Sequence, residues 1–159
     1  NYSIEHVYHI IKTLREVKDD PFIACDVIAG LPGEDDDAFM VTYNFMREIG
    51  FAAMHVFPYS RRKGTVADEM SGHLDGGLIK ERARIMIDVA STMKKEYEEK
   101  FINYEFEVLF EQKKGNTWIG HTTNYLEVYL ESEEDLTNEI KLCKIVKIKN
   151  NKLFAEEVK

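Results

Sequence analysis

Between Cys25 and Asp37 the chain reads CDVIAGLPGEDDD, a short apolar run that stops at a glycine and passes straight into four consecutive acids. A strand that ends at a glycine lets backbone come close to a ligand, because no Cβ intervenes, and strand ends of α/β sheets commonly carry ligand sites. Asp26 and Glu34 are the carboxylates at hand there. A second apolar stretch, AAMHVFPYS at 52–60, carries His55 and runs into Arg61-Arg62-Lys63. His55 with Asp26 would suit a metal-dependent hydrolase, but one histidine and one acid fall short of the three protein ligands of a catalytic zinc site. The cysteines, Cys25 and Cys143, lie far apart and form neither a metal-ligand cluster nor a disulfide framework. The spacing therefore predicts no catalytic nucleophile and no metal set. It points to a ligand held by backbone and charge.

Each feature also has a purely structural reading. Gly30, Pro32 and Gly33 suit a tight turn. Asp26 suits a buried acid satisfied by a backbone amide. Asp35, Asp36 and Asp37 suit a helix start, where negative charge is favoured. Arg61-Arg62-Lys63 suits a solvated loop, and Trp118 and His121 suit core or rim as well as base stacking.

Regular elements must hold these residues in place. Ser3 can cap a helix whose apolar positions, Ile4 to Val17, recur at helical spacing and stop before Asp20-Pro21. Phe22 to Gly30 reads as a strand covered on both faces, Glu34 to Gly50 as a helix ended by its glycine, and 52–60 as a second buried strand. MSGHLDGG at 70–77 reads as a linker. Leu78 to about Asn103 reads as one long amphipathic helix.

The period then changes. Tyr104–Glu111, Thr117–Thr122, Tyr125–Leu130, Leu142–Ile148 and Lys152–Val158 alternate like strands, with turns at 114–116 and 150–151. Five short strands in under 60 residues predict a small antiparallel barrel of the oligonucleotide-binding kind. The fold class is thus α/β followed by all-β, in domains of residues 1–103 and 104–159.

The 159 residues carry a net charge of −8, which lowers the prior for nucleic acid and restricts any such contact to a local patch. No apolar run approaches the ~18 residues of a membrane span, so no membrane partner is expected. The cysteine usage suggests a reduced, cytoplasmic setting. The chain opens at Asn1 with no methionine and no leader, as a piece of a longer protein would.

DVIAGLPGE, HVFPYSRRKGT and LFEQ…WIGHTTNYLEV, in that order, together resemble the radical S-adenosylmethionine methylthiotransferases. HVFPYSRRKGT is most similar to the branch that acts on threonylcarbamoyladenosine in tRNA. The resemblance implies the last third of a radical SAM (TIM-like) barrel followed by a C-terminal, OB-like TRAM barrel. It also implies S-adenosylmethionine and two 4Fe-4S clusters in the full-length parent. The cysteine motifs that bind those clusters in the family are missing here, so the chain is expected to be a C-terminal fragment that neither binds a cluster nor catalyses alone.

In the family the fifth barrel strand ends in a turn written G-x-I-x-G-x-x-E that supports the adenine of S-adenosylmethionine. Ile28 and Gly30 match it, Asp26 stands at the first glycine, and Glu34 falls one position late. By this resemblance Asp26, Ile28, Gly30, Glu34, His55 and Tyr59 face the cofactor. Arg61, Arg62, Lys63, Lys113, Lys114, Lys147 and Lys149 are the candidates for contact with tRNA. Lys141, Lys147 and Lys149 share a strand face by their odd spacing. From Tyr104 onward eleven acids outnumber eight lysines, so any such grip must be patchy. Two parallel strands cannot close a barrel, which predicts either dimerisation through open sheet edges or edges covered by the long helix. The alternatives are a non-catalytic RNA-binding module and a methylthiotransferase that acts on a ribosomal protein.

Overall fold

The computed structural model describes residues 3–158. The chain forms two compact units, Asn1–Lys94 and Lys95–Lys159.

The first unit contains α1 (Ile4–Val17), β1 (Ala24–Ala29), α2 (Asp36–Ile49), β2 (Ala53–Pro58), the short α3 (Val66–Glu69) and most of α4 (Gly76–Glu99). Ser3 caps α1 by accepting the His6 N–H. Asp35 caps α2 by accepting the Ala38 N–H, and Gly50 ends it at φ 64°, a left-handed conformation open to glycine. β1 and β2 pair in parallel, with Asp26 opposite His55 and Ile28 opposite Phe57.

All the helical packing falls on one side of this sheet. Val27 and Met54 are buried with Ile11 of α1, Phe39 and Ile49 of α2, and Met86, Val89 and Met93 of α4. The expected two-sided burial of β1 is therefore wrong. Ile28 and Phe57 are 51% and 52% exposed, and Asp26 and His55 are exposed beside them. Two strands hold no second helical layer, so alternate side chains face water. On the covered face α4 packs through Met86, Val89 and Met93.

The glycine-rich stretch at 70–77 is less of a linker than its composition predicts. Gly76 and Gly77 are already the first residues of α4, because Asp75 accepts the N–H groups of Gly77 (side chain, 2.7 Å) and Ile79 (backbone, 3.0 Å). The helix also stops earlier than expected, at Glu99, and Asn103 at φ 72° turns the chain into the first barrel strand.

The second unit is a closed five-stranded barrel of β3 (Glu105–Lys114), β4 (Thr117–Thr122), β5 (Glu127–Glu131), β6 (Ile140–Lys149) and β7 (Lys152–Glu157), in the order β3-β4-β5-β7-β6. β5 and β7 run parallel and every other pair is antiparallel. A wholly antiparallel barrel was the expectation. A ring of five strands cannot alternate direction all the way round, so one neighbouring pair has to be parallel. Tyr125, expected in a strand, sits at φ 61° in the turn before β5. Val108, Phe110, Val128, Cys143, Ile145 and Leu153 fill the interior.

Phe110 pairs with Gly120 across the β3–β4 ladder. A Cβ on Gly120 would lie 2.4 Å from the Leu109 carbonyl and 2.8 Å from the Val108 and Phe110 side chains. Gly120→Ala should destabilise the barrel by about 1–3 kcal/mol through overpacking. Urea unfolding followed by the fluorescence of Trp118, the single tryptophan, reads this directly; an unchanged midpoint would show that the ladder yields without cost.

Candidate functional site

The end of β1 is fixed by a chain of polar contacts. Gly30 adopts φ 85°, and a Cβ there would sit 2.8 Å from Ile79 Cγ1. Its N–H is shared by the two carboxylate oxygens of Glu34, at 3.1 and 3.2 Å. Arg82 of α4 donates from Nη1 to the Glu34 carboxylate (2.8 Å) and carbonyl (2.7 Å), and from Nη2 to Asp36 (2.6 Å). Its guanidinium also lies over the Phe39 ring, 5.1 Å from the centroid. Burial opposes the charge of Arg82, but its hydrogen bonds to Glu34 and Asp36 outweigh that and hold its pKa above the ordinary arginine value. Removing one partner of such a buried pair strands the other, at a cost of about 3–5 kcal/mol.

A second loop closes over this turn. Tyr59 N–H donates to the Ala29 carbonyl at 2.8 Å, and Gly33 N–H donates to the Gly72 carbonyl at 2.9 Å. Tyr59 stacks on His73 with ring centroids 6.1 Å apart. The Tyr59 hydroxyl is buried and has no hydrogen-bond partner. Between Tyr59 and His73 the expected basic loop is organised by an acid. Arg61 pairs with the Asp68 side chain and donates to the Asp68 carbonyl at 3.0 Å, while Asp68 also accepts the Gly64 N–H at 3.2 Å. The hydrogen bond from Arg61, and then that from Gly64, hold the Asp68 carboxyl below its ordinary pKa. Thr65 caps the short α3. Arg62 and Lys63 are exposed.

Asp26, Ile28, His55 and Phe57 thus share the bare face of the sheet, and Gly30, Glu34 and Tyr59 lie at the C-terminal ends of its strands. That is a wall with apolar and polar residues side by side, bordered by the Gly30 turn packed on Ile79. Such a wall can accept a planar ring against Ile28 and Phe57 and offer hydrogen-bond partners beside it.

The barrel lysines do not form one patch. β6 carries a bulge at Val146, between Ile145 and Lys147, and each bulge inverts the side-chain alternation. Lys141 therefore shares the face of buried Cys143 and Ile145 and pairs with Glu157 at 3.2 Å. Lys147 and Lys149 point outward together with Lys144, which corrects the expected grouping of Lys141 with them. Lys113 and Lys114 end β3, whereas Lys149 ends β6 beyond the start of β3, so the register puts them at opposite ends of the barrel. Lys113 lies over the Trp118 ring and Lys147 over Phe154. Trp118 itself is core, its indole N–H donating to the Glu134 carbonyl, while His121 is exposed at the rim against Glu111.

No family model matches the chain. Curated proteins do. The chain is 34% identical, over 92% of its length, to the threonylcarbamoyladenosine tRNA methylthiotransferase MtaB of Bacillus subtilis. It is 36% identical, over 82% of its length, to a probable threonylcarbamoyladenosine tRNA methylthiotransferase of Pyrococcus abyssi. Against the tRNA-2-methylthio-N(6)-dimethylallyladenosine synthase of Thermobifida fusca it is 34% identical over 72%. The chain belongs to the tRNA methylthiotransferase family. It spans 34%, 31% and 23% of the lengths of these three methylthiotransferases.

Among the described residues, no three His, Cys, Asp or Glu come together as metal ligands. Cys25 and Cys143 belong to different units. These residues do not fit an iron–sulfur cluster, and no role in holding one follows for them. Sequence reasoning passed over Arg82 and Asp68. Arg82 had a signal, because it falls in the apolar stripe of α4 between Ile79 and Met86, where a solvated arginine would not be placed. Asp68 had none, since its partner Arg61 lies across an irregular loop.

Burial, and then the charge of Asp26, push the Cys25 thiol up to about 11. A raised thiol pKa keeps the neutral form in the folded chain at pH 8, whereas an unfolded thiol titrates near ~8.5. Alkylation of Cys25 by iodoacetamide at pH 8 should be on the order of a hundredfold slower folded than in urea, rising about tenfold per pH unit up to pH 10. Equal rates in both states would contradict this environment.

Proposed function

We propose that this chain is the C-terminal portion of a radical S-adenosylmethionine enzyme that adds a methylthio group to threonylcarbamoyladenosine in tRNA. The observation that carries this is the 34–36% identity to proteins named for that activity, over four fifths or more of the chain. The residues fit a wall for the cofactor. Ile28 and Phe57 offer an apolar bed for the adenine, Asp26 and His55 offer polar groups beside it, and the Gly30 turn and Tyr59 border it. When bound, S-adenosylmethionine supplies the radical chemistry and the methyl group. On this reading residues 1–103 close a radical SAM barrel whose other strands and two 4Fe-4S clusters come from the rest of the protein. Residues 104–159 form a TRAM domain that grips tRNA. The setting is cytoplasmic, and the open edges of the β1–β2 sheet dimerise when this chain stands alone.

Two relatives favour a second substrate within the same chemistry, since they are named for dimethylallyladenosine. Mass spectrometry of tRNA nucleosides from cells lacking the gene separates the two. Loss of 2-methylthio-threonylcarbamoyladenosine with the dimethylallyl product intact is the expected result. An unchanged nucleoside profile would exclude tRNA modification and favour a ribosomal-protein substrate or a non-catalytic RNA-binding module.

The barrel makes its own prediction. Lys147 and Lys149 point outward beside Phe154, a pairing of phosphate contact with an aromatic face that suits single-stranded RNA. Replacing both with alanine should weaken tRNA binding at low salt and flatten its salt dependence by about one unit per lost contact. An unaltered slope would move the RNA contact to Arg61, Arg62 and Lys63 or to the Lys113-Lys114 turn.

A further inference from the structure

Arg82 is a buried cation that the proposed function leaves unused. It is 3% exposed, with Nη1 donating to Glu34 and Nη2 to Asp36, whose own side chain is 93% exposed. Its effect passes through Glu34. That carboxylate is itself largely buried, with 13% of its side chain exposed, and both of its oxygens receive the Gly30 N–H. Without a cation beside it, a carboxylate in that position would turn toward water or take up a proton, and in either case release the amide. Ile79, one turn earlier on the same helix, occupies the space where a Gly30 side chain would stand. One helix thus fixes the end of β1 twice, by shape through Ile79 and by charge through Arg82.

We propose that Arg82 is a positioning residue for the cofactor wall: it keeps the Glu34 carboxylate on the Gly30 N–H and so holds the turn at 29–33 in the shape that meets the nucleoside. The proposal rests on the reading of the β1 end as part of the S-adenosylmethionine site. A planar fork that serves two carboxylates and a carbonyl at once is a task for arginine, and a lysine ammonium keeps the charge but loses the fork.

The test uses the full-length, cluster-reconstituted protein, with S-adenosylmethionine affinity from calorimetry, tRNA affinity from filter binding, and iron content. Arg82→Met should weaken S-adenosylmethionine binding about tenfold or more and Arg82→Lys by about threefold, with iron content and tRNA affinity unchanged. Gly30→Ala, which strains the turn directly, is the control for the site itself. Normal binding in Arg82→Met with loss in Gly30→Ala overturns the role of Arg82 and leaves the site reading intact. Normal binding in both overturns the site reading, and the proposal with it. If Arg82→Met does not fold, Arg82→Lys decides: weaker binding with an unchanged melting temperature supports the role, and binding equal to the parent overturns it.

Discussion

One-sided burial governs the first unit. Three helices bring their apolar stripes to the same face of a two-stranded parallel sheet, and because side chains alternate along a strand, whatever is not buried there must face the other way. Val27 and Met54 go into the core, so Asp26, Ile28, His55 and Phe57 go onto the bare face. The residues with chemical interest are gathered by that alternation rather than by any motif. The turn that follows β1 adds direction, since it places Gly30 and Glu34 at the C-terminal end of the strand, where α/β folds gather their ligands.

The sequence made the helices and the turn plain for physical reasons. Apolar spacing marked α1, α2 and α4, and Gly50 ended α2 as its position suggested. The glycine at 30 had to be a glycine, given its positive φ and the Ile79 side chain against it. What sequence could not supply was the count of layers. An apolar run such as FIACDVIAG looks the same whether one face or both are covered, so β1 read as fully buried when half of it faces water. Glu34 fell one position late for the family pattern, yet its side chain returns to the Gly30 amide, because a flexible glutamate can span the extra residue.

In the barrel, alternation was legible and its interruptions were not. The bulge at Val146 leaves no mark in the pattern of charges, yet it decides which lysines share a face. Closure of five strands forced the parallel β5–β7 pair, a constraint that appears only once the ring is known to be closed. The acids at 131–135 are less free than their charge suggests. Trp118 holds the Glu134 carbonyl, Asp135 accepts from Thr137, and Leu136 is buried, so that loop is pinned as an acidic edge.

The central claim is that the bare face of β1 and β2, with the Gly30 turn, forms a wall for S-adenosylmethionine. Amide hydrogen exchange of the full-length protein, measured with and without that cofactor, tests it most directly. The account predicts slower exchange over residues 26–34 and 55–61 on binding. Protection that appears elsewhere in the protein while both of these segments exchange as before would contradict it.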